Sequence, residues 1–121
     1  MKTILIVEDS PAMRSMLSST IESMDGFRTV AAANGFEALR ILPRERIDLI
    51  LTDINMPDIN GLELISFLKQ NPRYEKTPLI ILSTEGSEKD RTKGLSLGAD
   101  EYLVKPFDPA KLQAVICRYV A

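Results

Sequence analysis

Four short, unbroken aliphatic runs limit what this chain can fold into: Ile4-Leu5-Ile6-Val7, Leu49-Ile50-Leu51, Leu79-Ile80-Ile81-Leu82 and Tyr102-Leu103-Val104. A strand with one face in water alternates apolar and polar residues, whereas consecutive aliphatics predict a strand covered on both faces, as in a parallel sheet flanked by helices. A fifth, weaker strand is predicted at 29–32. Between the runs lie segments with helical spacing. Met13, Met16, Leu17, Thr20, Ile21 and Met24 form one stripe behind Ser10-Pro11, a capping hydroxyl followed by a first-turn proline. Further stripes follow Asn34-Gly35 (Phe36, Leu39, Ile41, Leu42), Asn60-Gly61 (Leu62, Leu64, Ile65, Leu68) and Asp108-Pro109 (Leu112, Val115, Ile116, Tyr119, Val120). Segment 88–97 is mostly charged, with Leu95 and Leu97 near its end, and predicts a marginal helix exposed over most of its surface. Five alternations of strand and helix predict a doubly wound α/β domain: an open five-stranded parallel sheet with right-handed crossovers.

The 121 residues suffice for one domain with its own core, and we read 1–121 as that domain. Fifteen basic against seventeen acidic residues leave a formal charge of −2, which argues against direct contact with nucleic acid. With no histidine and one cysteine, imidazole-base chemistry, the usual zinc sites and an internal disulfide are excluded. Cys117, on the last helix, is expected to be an inert packing residue. The first apolar run stops at Glu8-Asp9, far short of the roughly 20 residues a membrane span needs. No membrane insertion is expected, and a cytoplasmic setting is.

Ligands of doubly wound sheets bind beyond the carboxyl ends of the strands. Glu8 and Asp9 close the first strand, and Asp53 closes the third. One acid at a strand end is more often a helix cap or a solvated group. Three converging acids need a retained proton or a cation, and hard oxygen ligands without His or Cys suit Mg²⁺ or Mn²⁺. Ser83 follows the fourth strand and Lys105-Pro106 the fifth. A carboxylate nucleophile, a metal, a hydroxyl and an ammonium are the parts needed to receive a phosphoryl group, so we read the site as an aspartyl-phosphate site.

The set Glu8-Asp9, Asp53-Ile54-Asn55-Met56-Pro57 with Asn60-Gly61, Ser83, and Lys105-Pro106-Phe107 resembles the receiver domain of two-component response regulators over residues 4–120. The resemblance implies a flavodoxin-like (βα)5 fold with strand order 2-1-3-4-5. It makes Asp53 the phosphoacceptor, with Ser83 and Lys105 as catalytic partners, and assigns Mg²⁺ (or Mn²⁺) to Glu8, Asp9, Asp53 and the backbone carbonyl of Asn55. Lys105 would pair with the acceptor across a cis peptide to Pro106. Ser83 and Tyr102 would form the switch, the hydroxyl turning toward the phosphoryl group as the ring moves from exposed to buried. Asn55 and Glu85 fall where receivers tune phosphoryl lifetime. Glu8 stands where Asp is more frequent, which lengthens the reach to the metal, and Thr84 is larger than the usual Ala or Gly.

By the same resemblance the donor is a sensor histidine kinase or a histidine phosphotransfer domain, which Met13 and Arg14 would adjoin. The target is a protein docked on the face of the fourth helix, fifth strand and fifth helix. Lys89, Arg91 and Lys93 are expected to be solvated rather than a docking patch. The receiver would catalyse its own phosphorylation and dephosphorylation without being a conventional turnover enzyme. It would be monomeric, with phosphorylation as the trigger for any dimer. Because the chain ends after its fifth helix, a single-domain chemotaxis (CheY-like) regulator is expected. Alternatives are the receiver fragment of a longer multidomain regulator and a phosphorylation-independent binding module. A haloacid-dehalogenase-like phosphatase also uses an aspartyl nucleophile with Mg²⁺, but its Asp-x-Asp follows the first strand; here the site follows the third, and Asn55 stands two residues after Asp53.

Overall fold

A computed structural model describes residues 1–54, 60–84 and 88–120. The strands are β1 (Lys2–Val7), β2 (Phe27–Ala32), β3 (Leu49–Asp53), β4 (Leu79–Thr84) and β5 (Glu101–Lys105), all parallel, in the order β2-β1-β3-β4-β5. The helices are α1 (Pro11–Glu22), α2 (Gly35–Ile41), α3 (Gly61–Lys69), α4 (Glu88–Ser96) and α5 (Pro109–Val120), and a 3₁₀ turn at Leu42–Arg44 extends α2. This is the expected flavodoxin-like α/β fold. Among the described residues no helix is long and apolar enough to cross a membrane.

Why the strands read as unbroken apolar runs is clear from their two faces. Successive side chains of a strand point to opposite sides. Ile4, Ile6, Leu49, Leu51, Ile80, Leu82 and Leu103 therefore pack on one side, against Leu17 and Ile21 of α1 and Leu112, Val115 and Ile116 of α5. Their neighbours Leu5, Val7, Ile50, Leu79 and Ile81 pack on the other, with Ala38, Leu42, Leu64, Ile65 and Leu68. β2 read weakly because it is an edge strand, paired only with β1, and it leaves Arg28 and Ala31 exposed.

Capping agrees with the sequence at Ser10, while Asn34 and Asn60, read only as turn residues ahead of their helices, prove to be caps as well. Side chains of Ser10, Asn34 and Asn60 accept the amides of Met13, Glu37 and Glu63, and Glu63 completes a capping box at the start of α3. The stripes need correction at their margins: Phe36 is 55% exposed, Met16 is exposed, and only Leu17 and Ile21 of α1 are buried. Cys117 is exposed rather than packed inside, its sulfur 3.9 Å from that of Met24. α4 is as sparsely anchored as its charge suggested, with Gly94 its buried residue. A Cβ at Gly94 would lie 2.4 Å from Cδ1 of Ile81, so the missing side chain lets a polar helix seat directly on β4.

Candidate functional site

Register sets the level of the site. Val7 lies opposite Thr52, Asp53 opposite Leu82, and Thr84 opposite Lys105. The strands thus end together, and the residues that close them meet on one rim. Alternation sets the side. Glu8, Asp53 and Lys105 continue the odd-even series of Ile6, Leu51 and Leu103, which faces α1 and α5. Ser83 continues Leu79 and Ile81 on the opposite face, and Tyr102 points there too.

Glu8, Asp9 and Asp53 each offer a carboxylate oxygen within 4.8 Å of the other two. Lys105 Nζ donates to Glu8 Oε1 at 2.6 Å and to Asp53 Oδ2 at 3.3 Å, and the Lys105-Pro106 peptide is cis. The ammonium was expected to pair with Asp53; it does, but its shorter bond is to Glu8, whose longer side chain brings the carboxylate to it. Glu8 is 1% exposed, and its other oxygen accepts the Ser10 amide at 3.1 Å. Burial pushes the Glu8 carboxyl above the usual range, the Lys105 and Ser10 bonds work against this, and the Asp53 charge adds to it. Desolvation would lower Lys105, but its bond to Glu8 and the charges of Asp53 and Glu8 outweigh it and raise the ammonium.

The surrounding backbone is held tightly. The Ile54 amide donates to Leu82 O at 3.1 Å, and Gly61 N donates to Ile54 O at 2.8 Å, tying the first residue of α3 to the end of β3. Ser83 is fully buried and Tyr102 is 41% exposed. Asn55 and Glu85, expected at the metal and beside the phosphoryl group, lie outside the described residues.

The profile of the response regulator receiver domain matches residues 4–117. The chain belongs to this family. The receiver is 43% identical over 116 residues to the transcriptional regulatory protein CpxR of Escherichia coli K12, covering 96% of this chain and 48% of CpxR, so it spans about half the length of that relative. Among solved structures, chemotaxis protein CheY4 of Vibrio cholerae is 36% identical with a TM-score of 0.90, covering 98% of both chains. The receiver domain of sensor histidine kinase PA1611 from Pseudomonas aeruginosa PAO1 is 31% identical with a TM-score of 0.89, covering 98% of this chain and 97% of that one; it holds a magnesium ion in its active site cleft.

Three further residues of this receiver bear on the site: two arginine side chains and one glycine. Arg14, expected only near a partner, donates through Nη1 to the carbonyls of Glu8 at 2.8 Å and Asp9 at 3.1 Å, bracing the acidic loop. Its place one turn into α1, beside Glu8-Asp9, was the available signal. Gly61 lies against the backbone of Asp53: a Cβ there would sit 2.4 Å from Asp53 O. Arg91 is not the solvated cation expected, for its side chain is 12% exposed and reaches Ser83.

Lys105 neutralises two enclosed carboxylates, so removing it leaves like charges facing each other. Lys105→Met is expected to lower the free energy of unfolding by about 3 kcal/mol in the absence of divalent cations, read as a drop in the urea midpoint. An unshifted midpoint would mean that the ammonium does not hold the acids together.

Proposed function

We propose that Asp53 accepts a phosphoryl group from a phosphohistidine of a sensor kinase or phosphotransfer domain, and that the phosphorylated receiver binds a protein target through α4, β5 and α5. The observation that carries this reading is the Lys105 ammonium bonded to Asp53 inside a cluster of three carboxylates. One described ammonium against three acids leaves negative charge in excess, and an all-oxygen donor set suits Mg²⁺. Glu8, Asp9 and Asp53 would hold it. When bound, the ion supplies charge that offsets the phosphoryl oxygens.

The chain's own groups account for the rest. An Asp53 oxygen attacks phosphorus, its bond to phosphorus forms as the donor's P–N bond breaks, and the imidazole leaves with the electron pair. Lys105 is placed to bond the incoming phosphoryl oxygens. Ser83, on the adjoining strand end, would turn to donate its hydroxyl to them, drawing the end of β4 inward, and Tyr102 would respond from its exposed position. Water later attacks phosphorus, releases inorganic phosphate and restores the carboxylate.

The decisive experiment is incubation with acetyl phosphate, followed by intact-mass measurement. With Mg²⁺ the chain should gain the mass of one phosphoryl group; with EDTA it should gain none. No gain under either condition would favour a phosphorylation-independent binding module. The metal site makes a separate prediction: Mg²⁺ at tenfold over its dissociation constant should raise the unfolding free energy by about 1.4 kcal/mol, measured by urea titration. The chain resembles both CheY4, a chemotaxis protein, and the receiver half of CpxR, a transcriptional regulator, so the proposed phosphoacceptor role could serve a stand-alone regulator or a longer one. The mass of the natural gene product separates the two.

A further inference from the structure

Ser83 and Tyr102 sit on the same face of the sheet, and because Tyr102 pairs with Ile81, Ser83 is its diagonal neighbour one step toward the rim. Arg91, from the first turns of α4, fills the gap between them. Its Nη1 donates to Thr84 O at 3.1 Å and reaches Ser83 Oγ at 3.5 Å, the outer limit of a hydrogen bond. Its guanidinium carbon stands 5.2 Å from the centroid of the Tyr102 ring, within cation–π range. Its Nη2 is 3.6 Å from Glu88 Oε1, whose side chain is 73% exposed, so this ion pair is the weakest of the four contacts.

We infer that Arg91 is a positioning residue, a latch that holds the end of β4 and the Tyr102 ring in their outward arrangement and must release before the phosphorylated form is reached. The inference rests on the phosphoacceptor reading above and deepens it. One rigid, planar cation serves two partners on different strands. If Ser83 and Thr84 move toward a phosphoryl group on Asp53, the Thr84 carbonyl leaves the guanidinium. If Tyr102 turns inward, the ring leaves it and the guanidinium itself obstructs the path. Both movements therefore work against the same side chain, which couples them and biases the resting receiver toward its unphosphorylated packing. A plain apolar residue at 91 would fill space but bind neither partner.

The test uses beryllofluoride with Mg²⁺, which mimics a phosphoryl group on a carboxylate, and follows the Tyr102 ring resonances by NMR, assigned with Tyr102→Phe. Arg91→Ala should tighten apparent beryllofluoride binding by about fivefold and, without ligand, move the Tyr102 signals part of the way toward their bound positions. Arg91→Lys, which keeps a cation but loses the forked donor, should fall between wild type and Arg91→Ala. A merely destabilising change would weaken binding, not strengthen it. If wild type responds and Arg91→Ala binds no more tightly, the latch is wrong and the phosphoacceptor reading stands. If wild type itself shows no response, the phosphoacceptor reading fails and the latch falls with it.

Discussion

Asp53→Asn should incorporate no phosphoryl group from acetyl phosphate and Mg²⁺ while keeping its fold. The amide has the shape of the carboxylate, so the packing at this buried position is conserved, but its oxygen carries no charge with which to attack phosphorus. Neither neighbouring acid is placed to substitute. Glu8 is enclosed, with one oxygen on Lys105 at 2.6 Å and the other on the Ser10 amide at 3.1 Å. Asp9 is exposed and is not among the partners that Lys105 bonds. The substitution also removes one of three carboxylates from the proposed cation site, so the stabilisation by Mg²⁺ should shrink with it. Intact-mass measurement reads the first effect and urea unfolding with and without Mg²⁺ the second; far-UV circular dichroism checks the fold. Undiminished labelling of the variant would transfer the acceptor role to another residue.

A second large effect is expected at a residue with no side chain. Gly61 opens α3 against the backbone of Asp53 and Ile54, and a methyl group there would lie 2.4 Å from Asp53 O and 2.6 Å from the Ile54 Cα. Both atoms are main chain. Asp53 is paired in the sheet with Leu82, and Ile54 is bonded to Leu82 O on one side and to Gly61 itself on the other, so neither can swing away as a side-chain end would. Gly61→Ala is therefore expected to destabilise the receiver by about 3 kcal/mol, the upper part of the range for overpacking. The displaced backbone carries Asp53 with it, so phosphorylation by acetyl phosphate should slow as well. The urea midpoint and the time course of the mass gain report the two effects. Wild-type values for both would show that α3 does not lean on the acceptor strand as described. The same substitution at Gly94 clashes with the end of a side chain, Cδ1 of Ile81 at 2.4 Å, rather than with main chain, so its effect should be smaller.

Strand and helix positions were legible from periodicity because the chain is short and locally consistent. Unbroken aliphatic runs announced strands covered on both faces, and Ser10-Pro11 announced the first helix; Asn34 and Asn60 read as turns and only the structure shows them as caps. Misjudgements fell where packing rather than pattern decides exposure. Phe36 and Met16 have the right spacing, but neither joins the buried clusters. Cys117 read as an inert packing residue, yet α5 turns it outward beside Met24.

The sequence alone determined the strands, the order in which acids, hydroxyl and lysine close them, and hence the rim on which they gather. Each of these follows from a side-chain period of two and from residues adjacent in the chain. Only the tertiary structure decided which groups touch across that rim. Lys105 bonds Glu8 more closely than Asp53, Arg14 braces the acidic loop, Gly61 presses on the Asp53 carbonyl, and Arg91 links the end of β4 to Tyr102. Long cationic side chains have many rotamers and no periodic signature. Their final partners are chosen by what other elements bring within reach, and that choice exists only once the strands have paired.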